Sequence, residues 1–148
     1  MQREIRESNA VPHSMSQIRP KLLVVDENID DLLDYSQVLE RAGYDVRCLG
    51  TFTDAATSIE MESFDLIVIT WGGHHWAARS LLARVIADHP RTPVLVLDRY
   101  ADAARYLEAI QLGAQDYLGK PLRPSELVTL VVNSLAEGVR RGEKQQAG

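Results

Sequence analysis

Phe64-Asp65 is followed by Leu66-Ile67-Val68-Ile69, four apolar residues in a row, three of them β-branched. The run is too short for a helix. A strand that is apolar at every position has to be covered on both faces, as in the middle of a parallel sheet. This one feature commits the chain to a central strand with helices above and below it. Asp65 opens the strand, and Thr70-Trp71-Gly72-Gly73 is expected to end it in a loop. In open α/β sheets, sites lie beyond the carboxyl ends of the strands, where the strand order reverses. Thr70 is therefore expected at a site, with a hydroxyl where an acid would be the more usual reactive group.

The flanking sequence supplies the rest of such a fold. Lys21-Leu22-Leu23-Val24-Val25, Tyr44 to Leu49, Pro93 to Leu97 and Gln115 to Leu118 read as four further strands. Between them lie helical stretches. The first has Ile29, Leu32, Leu33 and Leu39 on one face, with Asn28 as cap and Gly43 as stop. Thr53 to Glu62 follows, with Thr53 as cap and Ala56 and Ile59 inward. Trp76 to His89 carries Ala78, Leu81, Leu82 and Val85 at i, i+3, i+4 and i+7. Ala103, Tyr106, Leu107 and Ile110 mark the fourth helix, and Arg123 to Gly138 the fifth. Alternating strands and helices imply a doubly wound α/β domain with a mainly parallel sheet. Residues 1–20 are polar and aperiodic and read as a disordered leader, within which Met15 offers an alternative start. The domain spans 21–138, and 139–148 reads as a polar tail or the start of a linker.

Composition excludes several classes of function. At 148 residues the chain makes one domain with a proper core. Its net charge of −5 disfavours nucleic acid or an anionic membrane as a direct partner. Cys48 has no second cysteine to pair with, and its place in a strand suggests a core thiol in a reducing, cytoplasmic setting. No apolar run reaches membrane-spanning length.

A parallel sheet would bring Asp26, Glu27, Thr70, Asp98 and Lys120 to one edge. Adjacent acids at a strand end suit a hard cation such as Mg²⁺, and a lysine facing them suits a phosphoryl oxygen. The same residues are equally consistent with a buried ion-pair network in which Lys120 neutralises the acids.

Four segments carry a resemblance: Val24-Val25-Asp26-Glu27, Phe64 to Ile69, Thr92 to Leu97, and Gly113-Ala114-Gln115-Asp116-Tyr117-Leu118-Gly119-Lys120-Pro121. In this order they resemble the receiver domain of bacterial two-component response regulators, over roughly Lys21 to Gly138. The resemblance implies a flavodoxin-like fold with strand order 2-1-3-4-5 and helices on both faces. It matches Asp26 and Glu27 to the acidic pair that binds Mg²⁺, Lys120 to the lysine that contacts the phosphoryl group, and Tyr117 to an aromatic switch residue. Thr70 falls where the family has its phosphate-accepting aspartate. Asp98 falls where the family has a threonine or serine that senses the phosphoryl group. Arg99 replaces a small residue, and His74 a proline.

These departures set the functional expectation: a pseudo-receiver, not an enzyme, that signals through protein contacts without aspartyl phosphorylation and needs no cofactor. A threonine hydroxyl is a weak nucleophile with no evident base, and the loss of a carboxylate should weaken Mg²⁺ binding. Asp98 at ~4 Å from Lys120, with an effective dielectric of ~20, would attract it by on the order of 4 kcal/mol before desolvation. The alternatives are a receiver phosphorylated at Thr70 or Asp98, or a small-ligand sensor using the altered cleft. His74 and His75 read as a solvated or partner-facing loop, and Trp71 and Trp76 as covering the site and packing on the helix. Arg140, Arg141 and Lys144 read as a solvated tail. The expected interface is the face of the fourth helix, fifth strand and fifth helix. Tyr106 lies on it, and Val128, Leu130 and Val132 exceed the core stripe of the fifth helix. The partner is a second copy or another protein.

Overall fold

The computed structural model describes residues 18–147, with side chains described as far as Glu137. The expected leader lies mostly outside these residues. Five strands, β1 (Lys21–Val25), β2 (Asp45–Leu49), β3 (Leu66–Trp71), β4 (Val94–Asp98) and β5 (Asp116–Gly119), alternate with five helices. These are α1 (Ile29–Arg41), α2 (Phe52–Met61), α3 (His75–Asp88), α4 (Ala103–Leu112) and α5 (Pro124–Ala147). The sheet is parallel throughout, in the order β2-β1-β3-β4-β5. The doubly wound, flavodoxin-like arrangement expected from the sequence is the one found.

The pleat divides the core in two. Leu22, Val24, Leu66, Val68, Leu95 and Leu97 face α1 and α5, where Leu32, Tyr35, Leu39, Leu127 and Val131 cover them. Leu23, Val25, Ile67, Ile69, Val94 and Val96 face α2, α3 and α4. Because alternate residues point to opposite faces, this parity also decides where each residue at the strand ends projects.

Several local expectations are corrected. Thr70 and Trp71 are not loop residues. They extend β3 by pairing with Leu97 and Asp98 of β4, and Trp71 is fully buried. On α1 the inward set is Leu32, Tyr35, Ser36 and Leu39, one clean i, i+3, i+4, i+7 stripe, while Ile29 and Leu33 fall outside it and are exposed. Thr51, not Thr53, caps α2 by accepting from the Asp54 amide, and Ala55 and Ile59 are the apolar residues it buries. Cys48 is exposed, because β2 is an edge strand with β1 as its single strand neighbour. Helix α5 runs on to Ala147, well past Gly138. No proline follows Pro124 to break it, and Ala, Glu, Arg, Lys and Gln are good helix formers.

Candidate functional site

Beyond the carboxyl ends of β1 and β3 lies a cleft of about 290 Å³, lined in part by Asp26, Glu27, Asn28, Thr70, Arg99 and Lys120. Parity explains its contents. Thr70 continues the Leu66–Val68 side of β3, and Lys120 comes one step after Gly119 on the side of Leu118, so both reach the face on which Asp26 lies. Asp26 and the Lys120 side chain are almost wholly buried.

Asp26 is the hub. Its Oδ2 accepts from the Thr70 hydroxyl at 3.0 Å and pairs with Lys120 Nζ at 2.8 Å. Its Oδ1 accepts from the Asn28 amide at 2.9 Å, which turns the chain into α1. Lys120 has a second carboxylate, Asp31 Oδ2 at 2.7 Å. Asp31 comes from the first turn of α1, where its amide donates to the Asn28 cap. Arg99 reaches across from the β4–α4 loop to the same Asp31 oxygen, at 2.5 Å. Glu27 does not touch this network. It pairs at the mouth with His74, Nδ1 to Oε1 at 2.7 Å.

The structure thus brings together Asp26, Thr70 and Lys120, and adds Asp31, which the sequence reading missed. The available signal was its position, one turn into a helix that begins directly after Asp26. Asp98 does not join. It is expected beside Lys120 but projects to the opposite face of the sheet, the side of Val94 and Val96. There it is completely buried, with Arg105 Nε at 2.5 Å and the Tyr117 hydroxyl at 2.7 Å on Oδ2. Arg105 Nη2 at 3.2 Å and the Tyr100 amide at 3.0 Å donate to Oδ1. Burial would raise the Asp98 pKa, but the bonds donated by Arg105 and Tyr117 outweigh it and hold the carboxyl below its ordinary value. Burial, reinforced by the bond to Asp98, pushes the Tyr117 phenol up to about 12.

Trp71 lies on this second face too. Its ring is 4.6 Å from His75, 6.0 Å edge-on to Tyr117 and 6.0 Å from the Arg105 guanidinium. His75 is accordingly no solvated loop residue. It opens α3 and pairs with Glu108 of α4 at 3.0 Å. Trp76, expected to pack, is instead 74% exposed beside Arg79. The Arg140, Arg141 and Lys144 side chains lie outside the described residues.

The donor set is a weak one for Mg²⁺ as arranged. A small hard cation needs free carboxylate oxygens. Both oxygens of Asp26 are engaged, Glu27 is held by His74, and the third position offers a hydroxyl that already donates its proton.

A cleft of acids, a hydroxyl and a lysine at the carboxyl edge of a 2-1-3-4-5 parallel sheet defines a receiver-type signalling domain. The chain belongs to the response regulator receiver domain family, whose model matches residues 22–132. It is 33% identical over 123 residues to the DNA-binding transcriptional regulator NtrC of Rhizobium meliloti (strain 1021), a match covering 83% of this chain and 25% of that protein. It is 29% identical over 131 residues to the response regulator protein PilR of Pseudomonas aeruginosa, covering 87% and 28% respectively. The chain thus spans about a quarter of the length of these relatives. Among solved structures, a putative response regulator from Chloroflexus aurantiacus J-10-fl matches at 31% identity with a TM-score of 0.73, over 80% of this chain and 98% of that one. A CheY-like receiver domain protein from Methanospirillum hungatei JF-1 shares the fold at a TM-score of 0.78 and 24% identity, over 83% and 98%. The protein is a two-component response regulator receiver. Among its described residues no helix is long and apolar enough to cross a membrane.

Proposed function

We propose that this receiver signals through protein contacts without accepting a phosphoryl group, and that it is a signalling module needing no cofactor. The observation that carries the reading is Thr70. It falls where the family has its phosphate-accepting aspartate, and its proton is already committed to Asp26 Oδ2, the oxygen that Lys120 also holds. Asp26 is the one acceptor placed to activate the hydroxyl, which the sequence alone did not reveal. Taking that proton onto Oδ2 would neutralise Asp26 and give up its charge pairing with Lys120 on the same oxygen, so the arrangement favours the resting hydroxyl. Asp98, the other acid considered as an acceptor, is sealed from solvent with both oxygens filled. Intact-mass measurement after incubation with acetyl phosphate and Mg²⁺ should show no added phosphoryl group. A stable gain mapped to Thr70 or Asp98 would overturn the reading.

The contact surface we assign is the α4-β5-α5 face, offered to a second copy or another protein. Tyr106 is 44% exposed and Leu107 lies beside it on α4, also exposed. A groove of about 350 Å³ runs along β5 and α5, lined by Leu118, Thr129, Leu130 and Asn133 among others. Leu130, expected as a surplus apolar residue, also packs against the core and is half-buried. Val128, half-buried, and Val132, 49% exposed, do not line the groove. At 100° per residue they fall on the other flank of the core stripe.

A further inference from the structure

Helix α4 is poorly anchored by apolar packing. Its one fully buried residue is Ala109, whereas α3 buries Ala78, Leu81, Leu82 and Val85. Its amino-terminal half is instead tied down by charge. Arg105, in the first turn, reaches Asp98 at the end of β4, and Tyr117 of β5 closes on the same carboxylate. We propose that Asp98, Arg105 and Tyr117 form a permanent internal clamp that fastens α4 to β4 and β5 and keeps the Tyr117 ring inward, whatever occupies the Thr70 cleft.

Three observations support permanence. The clamp is complete: Asp98 receives four hydrogen bonds, two from Arg105, one from Tyr117 and one from the Tyr100 amide. It is uncontested. Asp102 caps the Arg105 amide, Glu108 is taken by His75 and Arg79 of α3, and Asp116 accepts the Tyr117 amide. Lys120, the cation of the cleft, is held by Asp26 and Asp31 on the other face. It is also roofed. Trp71 lies 6.0 Å from both the Arg105 guanidinium and the Tyr117 ring, and Tyr106 meets Tyr117 edge-on at 5.9 Å. A planar guanidinium fork on one buried carboxylate is a strong and geometrically specific pairing. The inference stands on this cluster alone and not on whether Thr70 takes a phosphoryl group.

Hydrogen exchange by mass spectrometry on the whole chain tests it. In Asp98→Asn and Arg105→Gln, amides of α4 should exchange faster by roughly ten-fold or more, while those of β1 and β3 keep their protection. Tyr117→Phe should show the same pattern more weakly. Alkaline titration of the tyrosine absorbance should find a group ionising near 12 in the wild type, lost in Tyr117→Phe and moved towards the ordinary value of ~10 in Asp98→Asn. A merely space-filling role for Asp98 would leave that titration where it was. If Asp98→Asn and Arg105→Gln do not fold, Tyr117→Phe and Arg105→Lys carry the test, and α4 must again exchange ahead of the sheet. Wild-type exchange in α4 of the folded variants, or exchange rising equally through α4 and the central strands, would overturn the clamp.

Discussion

The two faces of the sheet handle charge differently at the same edge. On the α1 and α5 face, Asp26, Asp31, Lys120 and Arg99 share partners around a cleft, and Asp31 and Arg99 reach solvent. On the α2 to α4 face, Asp98 keeps Arg105 and Tyr117 in a closed cluster with no exposed carboxylate oxygen. The first network has redundancy, since each acid has more than one donor. The second gathers the bonds of Arg105, Tyr117 and the Tyr100 amide on one carboxylate. A branched network leaves the remaining acids with donors when one member is lost, whereas a single-hub cluster loses its centre with its carboxylate.

That contrast is open to direct attack. Asp98→Ala should be the most damaging single change, costing ~3–5 kcal/mol in denaturant unfolding, because it strands a part-buried guanidinium and a buried phenol. Lys120→Ala should cost less, about 3 kcal/mol, since Asp31 keeps Arg99 and Asp26 keeps Thr70 and Asn28. Equal costs, or a larger cost at Lys120, would erase the distinction. The two networks share no side-chain partner, so the double substitution should be additive to within ~0.5 kcal/mol.

The effect of pH sharpens the comparison further. Tyr117 has a raised pKa, so its contribution is whole below the unfolded value of ~10 and is lost as pH rises through about 12. Asp98 has a lowered pKa, so its contribution is whole above the unfolded value of ~4 and is lost only as pH falls below the ordinary carboxylate range. Unfolding followed between pH 9 and 12 should lose stability in the wild type and lose less of it in Tyr117→Phe. The smallest effects belong to the mouth of the cleft. Arg99→Ala and His74→Ala should each change stability by no more than ~1 kcal/mol, as exposed ion pairs do, and should leave α4 exchange unchanged.

The strands and helices were legible because the central strands are short apolar runs and the helices have a stripe, a stop or a cap, while the strand order came with the resemblance to the receiver family. The cleft was legible as far as Asp26, Thr70 and Lys120, which sit at strand ends. Asp98 was misplaced because strand ends alone give an edge and not a face. Its parity with Val94 and Val96 carried that information, set against the parity of Thr70 with Leu66 and Val68. Asp31 and Arg105 escaped because each acts from the first turn of a helix, where an acid or a base reads equally well as solvated. Trp71 read as a loop residue because it follows a threonine and precedes two glycines, yet its pairing with Asp98 keeps it in β3. The burial of Ile29 and Leu33 was overestimated because two overlapping stripes fit α1, and Tyr35 and Ser36 complete the inner one.

The most direct test of independence between the two faces is hydrogen exchange in α4 of the wild-type chain, with and without acetyl phosphate and Mg²⁺. The account predicts the same exchange in both samples, because the clamp takes no partner from the cleft. Altered protection across Ala103–Leu112 in the treated sample would show that the cleft drives α4, and would contradict it.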